Sequence, residues 1–444
     1  MVQFLVEHGS DATAQDKDGS TPLHQASVSS RGALWIARIL LEHGADTIAP
    51  DKRGSTPLHE ASVSGNLDLV QFLVEHGADA TAKDMRGSTP LHEASYHGHV
   101  NVAQFLIQRG ADATARNKNG YTPLHQMSNS GNVDLARLLV EHGADVTPQN
   151  KYGSTPLHWA SESSRGNVEL LRFLVEHGAN VTDQEEDGST PLHRASYSGN
   201  VELVQFLVEN GANVVASNKY LSTPLHWASL SSSGHANLGL FLIEHGADAT
   251  AQDKDGWTPL HNASLRGHLD LAQLFIEHGA NATAKTNRGL TPLHVASYHG
   301  YVDIARLLIE NGADTASKHQ NGWTPLSSSS VKGHVEIARL LVKHGADTTT
   351  QAKNGTAPLH IVSRGGLVEA TRFFIEHGAD VTARKKDGST PLHMASRGGH
   401  ARVARVLLQY GADPAARDSL NRTSYDVALA RGYRGIIRLL SVEL

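Results

Sequence analysis

Residues 54–86 read GSTPLHEASVSGNLDLVQFLVEHGADATAKDMR, and the chain repeats this pattern along its length. The tetrapeptide Thr-Pro-Leu-His recurs in steps of 33 residues, or of 35 at three places. Its copies, whole or altered, begin at Thr21, Thr56, Thr89, Thr122, Thr155, Thr190, Thr223, Thr258, Thr291, Thr324, Ala357, Thr390 and Thr423. A fixed period in this range predicts a solenoid, in which each repeat buries its apolar face against its neighbours.

Each repeat is predicted to hold two short helices and a polar finger. Thr56 is a good N-cap, and Pro57 suits a first helical turn because its missing N–H has no partner there. The apolar residues of 67–74 recur at helical spacing, and Gly77 ends this second helix in the left-handed conformation. The polar stretch 78–87 then forms a hairpin-like finger that leads to the next copy.

The period and the motif Thr-Pro-Leu-His-x-Ala, here at residues 56–61, resemble the ankyrin-repeat family. The resemblance covers nearly all of the 444 residues. It implies an all-α repeat solenoid of ankyrin repeats, each a helix-turn-helix with a β-hairpin-like finger, in a curved two-layer stack. It also implies a concave binding surface made of the fingers and the inner, first helices. The near-identical copies further resemble those of fungal multidomain proteins.

The sequence predicts three segments. Residues 1–19 form a partial repeat with a second helix and a finger only, residues 20–421 form the array, and residues 422–444 form a C-terminal capping repeat. Because the chain begins in the middle of a repeat, we expect a fragment of a longer protein or a truncated gene product. The tenth repeat carries serines at 327–330, and it is predicted to be the weakest interior repeat because serine is a poorer helix former than alanine.

Composition excludes several classes of protein. The chain has no cysteine and a formal net charge of −6, so we expect no disulfide framework, no thiolate chemistry and no nucleic-acid partner. No run of eighteen apolar residues occurs, so no membrane segment is expected. A cytosolic or nuclear location follows as the expectation.

The 28 histidines invite a metal or acid–base hypothesis. Most occupy two repeated positions, the fourth residue of the tetrapeptide and the residue before the helix-ending glycine. Equivalent histidines in neighbouring repeats lie a helix-packing distance apart, too far to share a metal. We therefore expect the first kind to hydrogen-bond near the helix start and the second to lie at a helix C-terminus. No phosphate-binding, zinc-protease or hydrolase motif occurs, so we expect no enzyme, cofactor or metal site.

Positions at which the repeats disagree are the candidates for binding, because agreement between repeats reports packing. Large aromatic side chains and arginine, which often dominate interface energy, collect at such positions. The predicted protein-binding residues are Tyr96, Tyr121, Tyr152, Trp159, Tyr197, Tyr220, Trp227, Trp257, Arg266, Tyr298 and Trp323. For Trp159 and Trp227, packing between repeats is an alternative interpretation. Exposure without a partner is the alternative for Tyr96, Tyr121, Tyr197, Trp257, Tyr298 and Trp323.

The charge is uneven along the chain. From Ile361 onward there are 13 Lys and Arg residues against 8 Asp and Glu residues. An acidic partner could dock at these basic residues, or the surplus is ordinary surface variation. The basic side chains concerned are Arg364, Arg384, Lys385, Lys386, Arg397 and Arg402.

Two functional hypotheses follow. The first is a non-catalytic scaffold or adaptor that binds a protein partner on the concave face of the array. The alternative is the C-terminal sensor or substrate-recruiting array of a larger protein, whose effector domain, an NTPase, a kinase or a channel, lies upstream of Met1. We expect a monomer, or an association through the uncapped N-terminal repeat.

Overall fold

The structure is a computed structural model and describes residues 10–29, 32–128, 130–163 and 167–443. The chain divides into two compact units, unit 1 (Met1–Lys219) and unit 2 (Tyr220–Leu444). The described residues contain 26 helices and no β-strand. The predicted all-α fold is thus confirmed, and the fingers are built from hydrogen-bonded turns.

The described residues of unit 1 contain six pairs of helices. Their bounds are α1 Pro22–Val28, α2 Ala33–Glu42, α3 Pro57–Ser64, α4 Leu67–Glu75, α5 Pro90–Tyr96, α6 Val100–Gln108, α7 Pro123–Ser128, α8 Val133–Glu141, α9 Pro156–Glu162, α10 Val168–Glu176, α11 Pro191–Ser198 and α12 Val201–Glu209.

The part of unit 2 that the structure describes, residues 220–443, contains seven pairs. Their bounds are α13 Pro224–Leu230, α14 Ala236–Glu244, α15 Pro259–Arg266, α16 Leu269–Glu277, α17 Pro292–His299, α18 Val302–Glu310, α19 Pro325–Ser330, α20 Val335–Lys343, α21 Pro358–Gly365, α22 Val368–Glu376, α23 Pro391–Gly398, α24 Ala401–Gln409, α25 Ser424–Leu429 and α26 Arg434–Glu443.

Within each unit the helices form two layers. The first helix of a pair packs against the first helix of the next pair, and the second helices pack in the same way. The leucine of each tetrapeptide, such as Leu58 and Leu91, is fully buried between them. Each repeat therefore buries its apolar side chains against its neighbours, as the period predicts.

The tetrapeptide caps the first helix and joins it to the next repeat. The Thr56 N–H donates to His59 Nδ1 at 3.2 Å, and the Thr56 hydroxyl lies 2.9 Å from the same nitrogen. Because Nδ1 accepts, the proton of the neutral ring is on Nε2, which donates to the Ser88 carbonyl of the next repeat at 3.1 Å. The predicted hydrogen bond of the repeat histidine near the helix start is confirmed.

The second helix also ends as the sequence predicts. In α4 the Asn66 side chain caps the start by accepting from the Leu69 N–H at 3.1 Å. At its C-terminus His76 Nδ1 lies 2.8 Å from the Phe72 carbonyl, and Gly77 follows with a φ of 97°. The Phe72 carbonyl also accepts from the His76 N–H at 3.1 Å, so the imidazole lies beside a carbonyl of the last helical turn that already has a backbone donor.

Each finger makes one backbone hydrogen bond to the next finger at its tip. In unit 1 the Met85 N–H donates to the Arg53 carbonyl at 2.8 Å, and the Lys118 N–H donates to the Arg86 carbonyl at 2.8 Å. A buried side chain shapes the turn from within: Asp84 Oδ1 accepts from the Arg86 and Ser88 N–H groups at 2.9 and 2.7 Å. The buried carboxylate of Asp84 therefore holds Arg86, two residues later, at the finger tip.

The tenth repeat lacks the hydrogen bond that the repeat histidine makes to the carbonyl of the next repeat. Ser327 replaces the histidine, and its hydroxyl lies 3.3 Å from the Thr324 hydroxyl. The serine side chain is too short to reach the following repeat. Ser329 and Ser330 instead donate to the Leu326 carbonyl of their own helix, at 2.9 and 2.8 Å. At the N-cap of α20, the helix that follows, the buried Nε2 of His334 has no hydrogen-bond partner. These contacts agree with the predicted weakness of this repeat, which stays a prediction.

Some predictions lie outside the described residues. The second helix expected in residues 1–9 is one of them. Residues 30–31 and 164–166, at two of the three 35-residue steps, also lie outside the described part of the chain. At the third, Ser231 and Ser233 bring their hydroxyls within 2.9 Å of each other in the turn between α13 and α14. The predicted segment boundaries remain predictions.

Candidate protein-binding groove

Two adjoining clefts in unit 1 lie between the fingers and the first helices. The smaller, of 160 Å³, is lined in part by Arg53, Glu60 and Val63, and the larger, of 390 Å³, by Tyr96 and Tyr121. Both clefts share the side chains of Arg86 and Glu93. We call the two clefts and the adjoining pair Tyr121–Trp159 the finger groove.

The aromatic wall of the groove is a pair of rings from consecutive repeats. The centroids of Tyr121 and Trp159 are 5.2 Å apart, with the ring planes at 90°. Both side chains are half-buried, whereas Tyr152 is 54% exposed. Burial raises the pKa of the Tyr121 hydroxyl, and the nearby Tyr152 adds to the rise. Edge-to-face packing of this kind holds both rings in fixed orientations.

An ion-pair cluster borders the aromatic wall. Arg194 Nη2 lies 2.7 Å from Glu185 Oε2 of its finger, and Nη1 lies 2.8 Å from Glu162 Oε2 at the end of α9. The Glu185 side chain is almost fully buried, whereas the Glu162 side chain is 44% exposed. One guanidinium therefore joins two repeats through two carboxylates.

Tyr121 leaves a buried donor without an acceptor. In two other repeats an asparagine at the finger cap donates to a serine of the preceding repeat: Asn117 Nδ2 to Ser88 Oγ at 3.4 Å, and Asn218 Nδ2 to Ser189 Oγ at 3.2 Å. At the equivalent place Tyr121 stands in the position of the serine, and the buried Asn150 Nδ2 has no partner. An unsatisfied buried amide costs stability, of the order of 1–3 kcal/mol.

The remaining predicted residues of unit 1 differ in their surroundings. Tyr96 is 44% exposed and lines the larger cleft together with Tyr121. Tyr197, which occupies in its own repeat the position of Tyr96, is also exposed at the end of α11. The structure thus brings Tyr121 together with Trp159, and Tyr96 into the same cleft as Tyr121.

In unit 2 the predicted residues lie apart along the repeats. Trp257 is half-buried, its ring centroid 5.5 Å from that of His261, and Trp323 stacks on His319 at 6.2 Å. The remaining four are half-buried Trp227, exposed Arg266, exposed Tyr220 and Tyr298, whose ring carries Lys332 Nζ 4.7 Å from its centroid.

Four charged residues of unit 1 were missed by the prediction from sequence. Glu93 and Arg194 occupy the position directly after the repeat histidine, where Gln126 and Trp159 stand in other repeats. Glu162 and Glu185 also occupy positions that differ between repeats. The variation at these positions is a signal that could have identified them, but it does not show which charges meet.

Two non-glycine residues adopt a left-handed backbone conformation. Leu221 has a φ of 56° and Asn421 a φ of 60°, at the finger position where the other repeats carry glycine. Asparagine tolerates this region, whereas leucine is strained there. The Leu221 side chain is about half exposed beside Tyr220.

The basic residues near the C-terminus are partly paired. Lys385 Nζ lies 3.5 Å from Asp387 Oδ2, and Arg384 Nη1 donates to the Arg417 carbonyl at 2.8 Å. Arg364 and Arg402 are exposed, and Arg397 is half-buried. Docking of an acidic partner at this surface stays a prediction.

Neither a metal centre nor a membrane segment emerges from the described residues. No group of three or more His, Cys, Asp or Glu side chains there could hold a metal ion. No helix in the same ranges is long and apolar enough to cross a membrane.

Comparison with known families gives one result. A family model described as "Ankyrin repeats (3 copies)" matches the chain in overlapping segments. The matched residues are 1–51, 48–117, 91–185, 180–253, 225–319, 315–385, 345–418 and 381–443. No curated protein matches the sequence.

Proposed function

Because the chain belongs to the ankyrin-repeat family, whose repeats generally mediate protein–protein interactions, we propose that it is a non-catalytic scaffold that binds a protein partner in the finger groove. The fold by itself specifies a surface and no ligand, so the proposal rests on the side chains of this groove. We further propose that the scaffold acts as a monomer in the cytosol or nucleus.

The observation that carries the proposal is the Tyr121–Trp159 pair beside an open cleft. Tyrosine and tryptophan bury a large area at a low cost in conformational entropy, and they are enriched among residues that dominate binding energy. The edge-to-face contact already holds both rings in place. Less ordering is therefore required when a partner binds, which favours affinity.

The unsatisfied amide of Asn150 supports the same proposal. A serine at position 121 would give this amide an acceptor, as Ser88 and Ser189 do in their repeats. The chain instead carries a tyrosine there, at a cost in stability. Features that reduce stability without a structural return are typical of functional sites.

The experiment compares groove variants that borrow residues from other repeats. A partner isolated with the wild-type chain is titrated against the double variant Tyr121→Ser, Trp159→Gln, because serine and glutamine occupy these positions elsewhere in the array. The matched control is Tyr410→His, which changes an exposed aromatic at the end of α24 to the residue most repeats carry there. We expect the dissociation constant to rise at least about tenfold for the double variant and to stay unchanged for the control. Equal binding by all three proteins would contradict the proposal.

A second set of contacts is proposed for the aromatic residues of unit 2. Trp257, Tyr298 and Trp323 occupy finger or first-helix positions like those of the groove in unit 1. Replacing all three by alanine tests them separately. A partner that binds this variant and the wild-type chain equally would restrict binding to unit 1.

A further inference from the structure

We propose that the finger groove binds an arginine side chain of the partner, held by Glu93 between Arg86 and the rings of Tyr96 and Tyr121. This inference rests on the proposed function and adds the chemistry of the partner. Four features of unit 1 carry it: the environment of Glu93, the charges of the smaller cleft, the neighbouring rings, and an arginine that the chain itself places in an equivalent position.

Glu93 is a carboxylate with little compensation for its burial. Its side chain is only 22% exposed, and loss of water raises its pKa, while Arg86 opposes the rise. Arg86 Nη2 is its ion-pair partner at a long 3.9 Å. Arg86 is itself 73% exposed, and its Nε lies closer, at 3.2 Å, to Asp84. The carboxylate of Glu93 therefore has room for a second, closer cation.

The charges around the smaller cleft favour a cation. Three carboxylates line it, those of Glu60, Asp84 and Glu93, against the two guanidinium groups of Arg53 and Arg86. Each arginine already lies near a buried aspartate. Arg53 Nε is 3.4 Å from Asp51 Oδ2, and Arg86 Nε is 3.2 Å from Asp84 Oδ2. The carboxylates of Glu60 and Glu93 thus face the cleft with a net negative charge, which complements a basic segment.

The chain itself shows how a guanidinium binds in this setting. Arg194 occupies in its repeat the position that Glu93 occupies in its own, and Glu185 occupies the finger position of Asp84. There the guanidinium is held at 2.7 and 3.0 Å by Glu185 and at 2.8 Å by Glu162. Where Glu93 stands, the finger carboxylate is present but the arginine is replaced by an acid. An arginine supplied by a partner would restore the missing cation.

The neighbouring rings select arginine over lysine. Tyr96 and Tyr121 line the larger cleft, which also contains Glu93. A guanidinium is planar and weakly hydrated, so it can stack on a tyrosine face while it donates two hydrogen bonds to a carboxylate. An ammonium group is more strongly hydrated and lacks the planar pair of donors, so it meets both requirements less well. We therefore expect arginine to be preferred at this position of the partner.

The test begins with a library of random twelve-residue peptides displayed on phage and selected against the full chain. Peptides whose binding is lost on Tyr121→Ser, Trp159→Gln are retained as groove binders, and their synthetic forms are titrated against the wild-type chain and Glu93→Gln. Glutamine occupies this position at Gln25 and Gln126, so the variant is expected to fold. The matched control is Glu176→Gln, at an exposed carboxylate of α10.

We expect the groove binders to share an arginine. Glu93→Gln should raise their dissociation constant about tenfold, replacement of that arginine by glutamine should do the same, and the two changes together should add little more. Glu176→Gln should have no effect. Replacement of the arginine by lysine should weaken binding to an intermediate degree.

The other outcomes separate the two proposals. Groove binders that are acidic or apolar and insensitive to Glu93→Gln would overturn the arginine inference and leave the proposed function intact. A selection that yields no peptide sensitive to Tyr121→Ser, Trp159→Gln would overturn both.

Discussion

The rings of Tyr121 and Trp159 meet edge to face across a repeat boundary, with centroids 5.2 Å apart and planes at 90°. Tyr121 precedes the capping threonine of the fourth repeat, and Trp159 follows the repeat histidine of the fifth. The first helices of adjacent repeats pack side by side, so these two positions face each other although they lie far apart in sequence. The pair forms one wall of the finger groove and couples two repeats.

The two rings should stabilise each other. In urea unfolding, we expect Tyr121→Ser and Trp159→Gln to show a coupling free energy of about 1 kcal/mol in a double-mutant cycle, because the aromatic contact exists only when both rings are present. A cycle in which Tyr121→Ser is combined with Tyr410→His is the control, since Tyr121 belongs to unit 1 and Tyr410 to unit 2. Strict additivity for Tyr121 and Trp159 would show that the contact contributes nothing.

Serine at position 121 should be better tolerated than alanine. Its hydroxyl can accept from Asn150 Nδ2, as Ser189 Oγ accepts from Asn218 Nδ2 at 3.2 Å. We expect the free energy of unfolding of Tyr121→Ser to be about 1 kcal/mol higher than that of Tyr121→Ala. The same pair of changes at Tyr152, where the side chain is exposed, should show no such difference. Equal stabilities of the two variants at position 121 would mean that the amide of Asn150 finds another acceptor.

The strained backbone of Leu221 should be relieved by asparagine. Leu221 has a φ of 56°, which costs a branched L-residue about 1–2 kcal/mol, whereas Asn421 adopts nearly the same φ in its own finger. We expect Leu221→Asn to raise the free energy of unfolding by about 1 kcal/mol and Asn421→Leu to lower it by a similar amount. Thermal and urea unfolding measure both. A destabilising Leu221→Asn would indicate that the leucine side chain contributes packing that outweighs the strain.

The tenth repeat should gain stability from the histidine that it lacks. In the flanking repeats His294 Nε2 lies 3.0 Å from the Trp323 carbonyl and His360 Nε2 lies 3.2 Å from the Ser389 carbonyl. We expect Ser327→His to add the equivalent bond, worth about 1 kcal/mol, and to slow hydrogen exchange in α19. In the wild-type chain the amides of α19 should exchange faster than those of α17 and α21. Equal protection in all three helices would refute the predicted weakness.

Acid should destabilise the array through its buried histidines. Burial lowers the pKa of five repeat histidines to about 4, because the charged ring would lose its contact with water. These five are His125, His158, His261, His294 and His360.

The sign of the effect follows from the pKa values. In the unfolded chain these histidines bind protons below about pH 6.5, whereas in the folded chain they bind them only near pH 4. The unfolded state therefore holds more protons between these values, and stability falls as the pH is lowered through this window. The loss per histidine approaches about 1.4 kcal/mol per pH unit. Urea unfolding at pH 7.5, 6 and 5 checks this, and a free energy of unfolding that does not fall would contradict it.

The sequence by itself determined the helices and their ends. The start of a first helix is capped by contacts within four residues, those of Thr56, Pro57 and His59. The next helix ends at Gly77, whose backbone can adopt the left-handed conformation. Each copy of the motif therefore specifies its helix ends through local contacts. Comparison of the copies with one another also identified Tyr121 and Trp159 as departures from the common pattern. No contact between repeats was needed for either conclusion.

Only the tertiary structure decided which departures meet. Two contacts cross repeat boundaries: the ring contact of Tyr121 with Trp159 and the ion pair of Arg194 with Glu162. The Asn150 amide lacks a partner because the residue facing it from the preceding repeat is Tyr121. Such contacts depend on the register of packed first helices and on side-chain rotamers. The burial of Glu93, which raises the pKa of its carboxyl, is likewise a property of the assembled cleft, which residues of the preceding repeat such as Glu60 and Val63 also line. A periodic sequence specifies the repeat, whereas the chemistry of the groove arises where two unequal repeats are stacked.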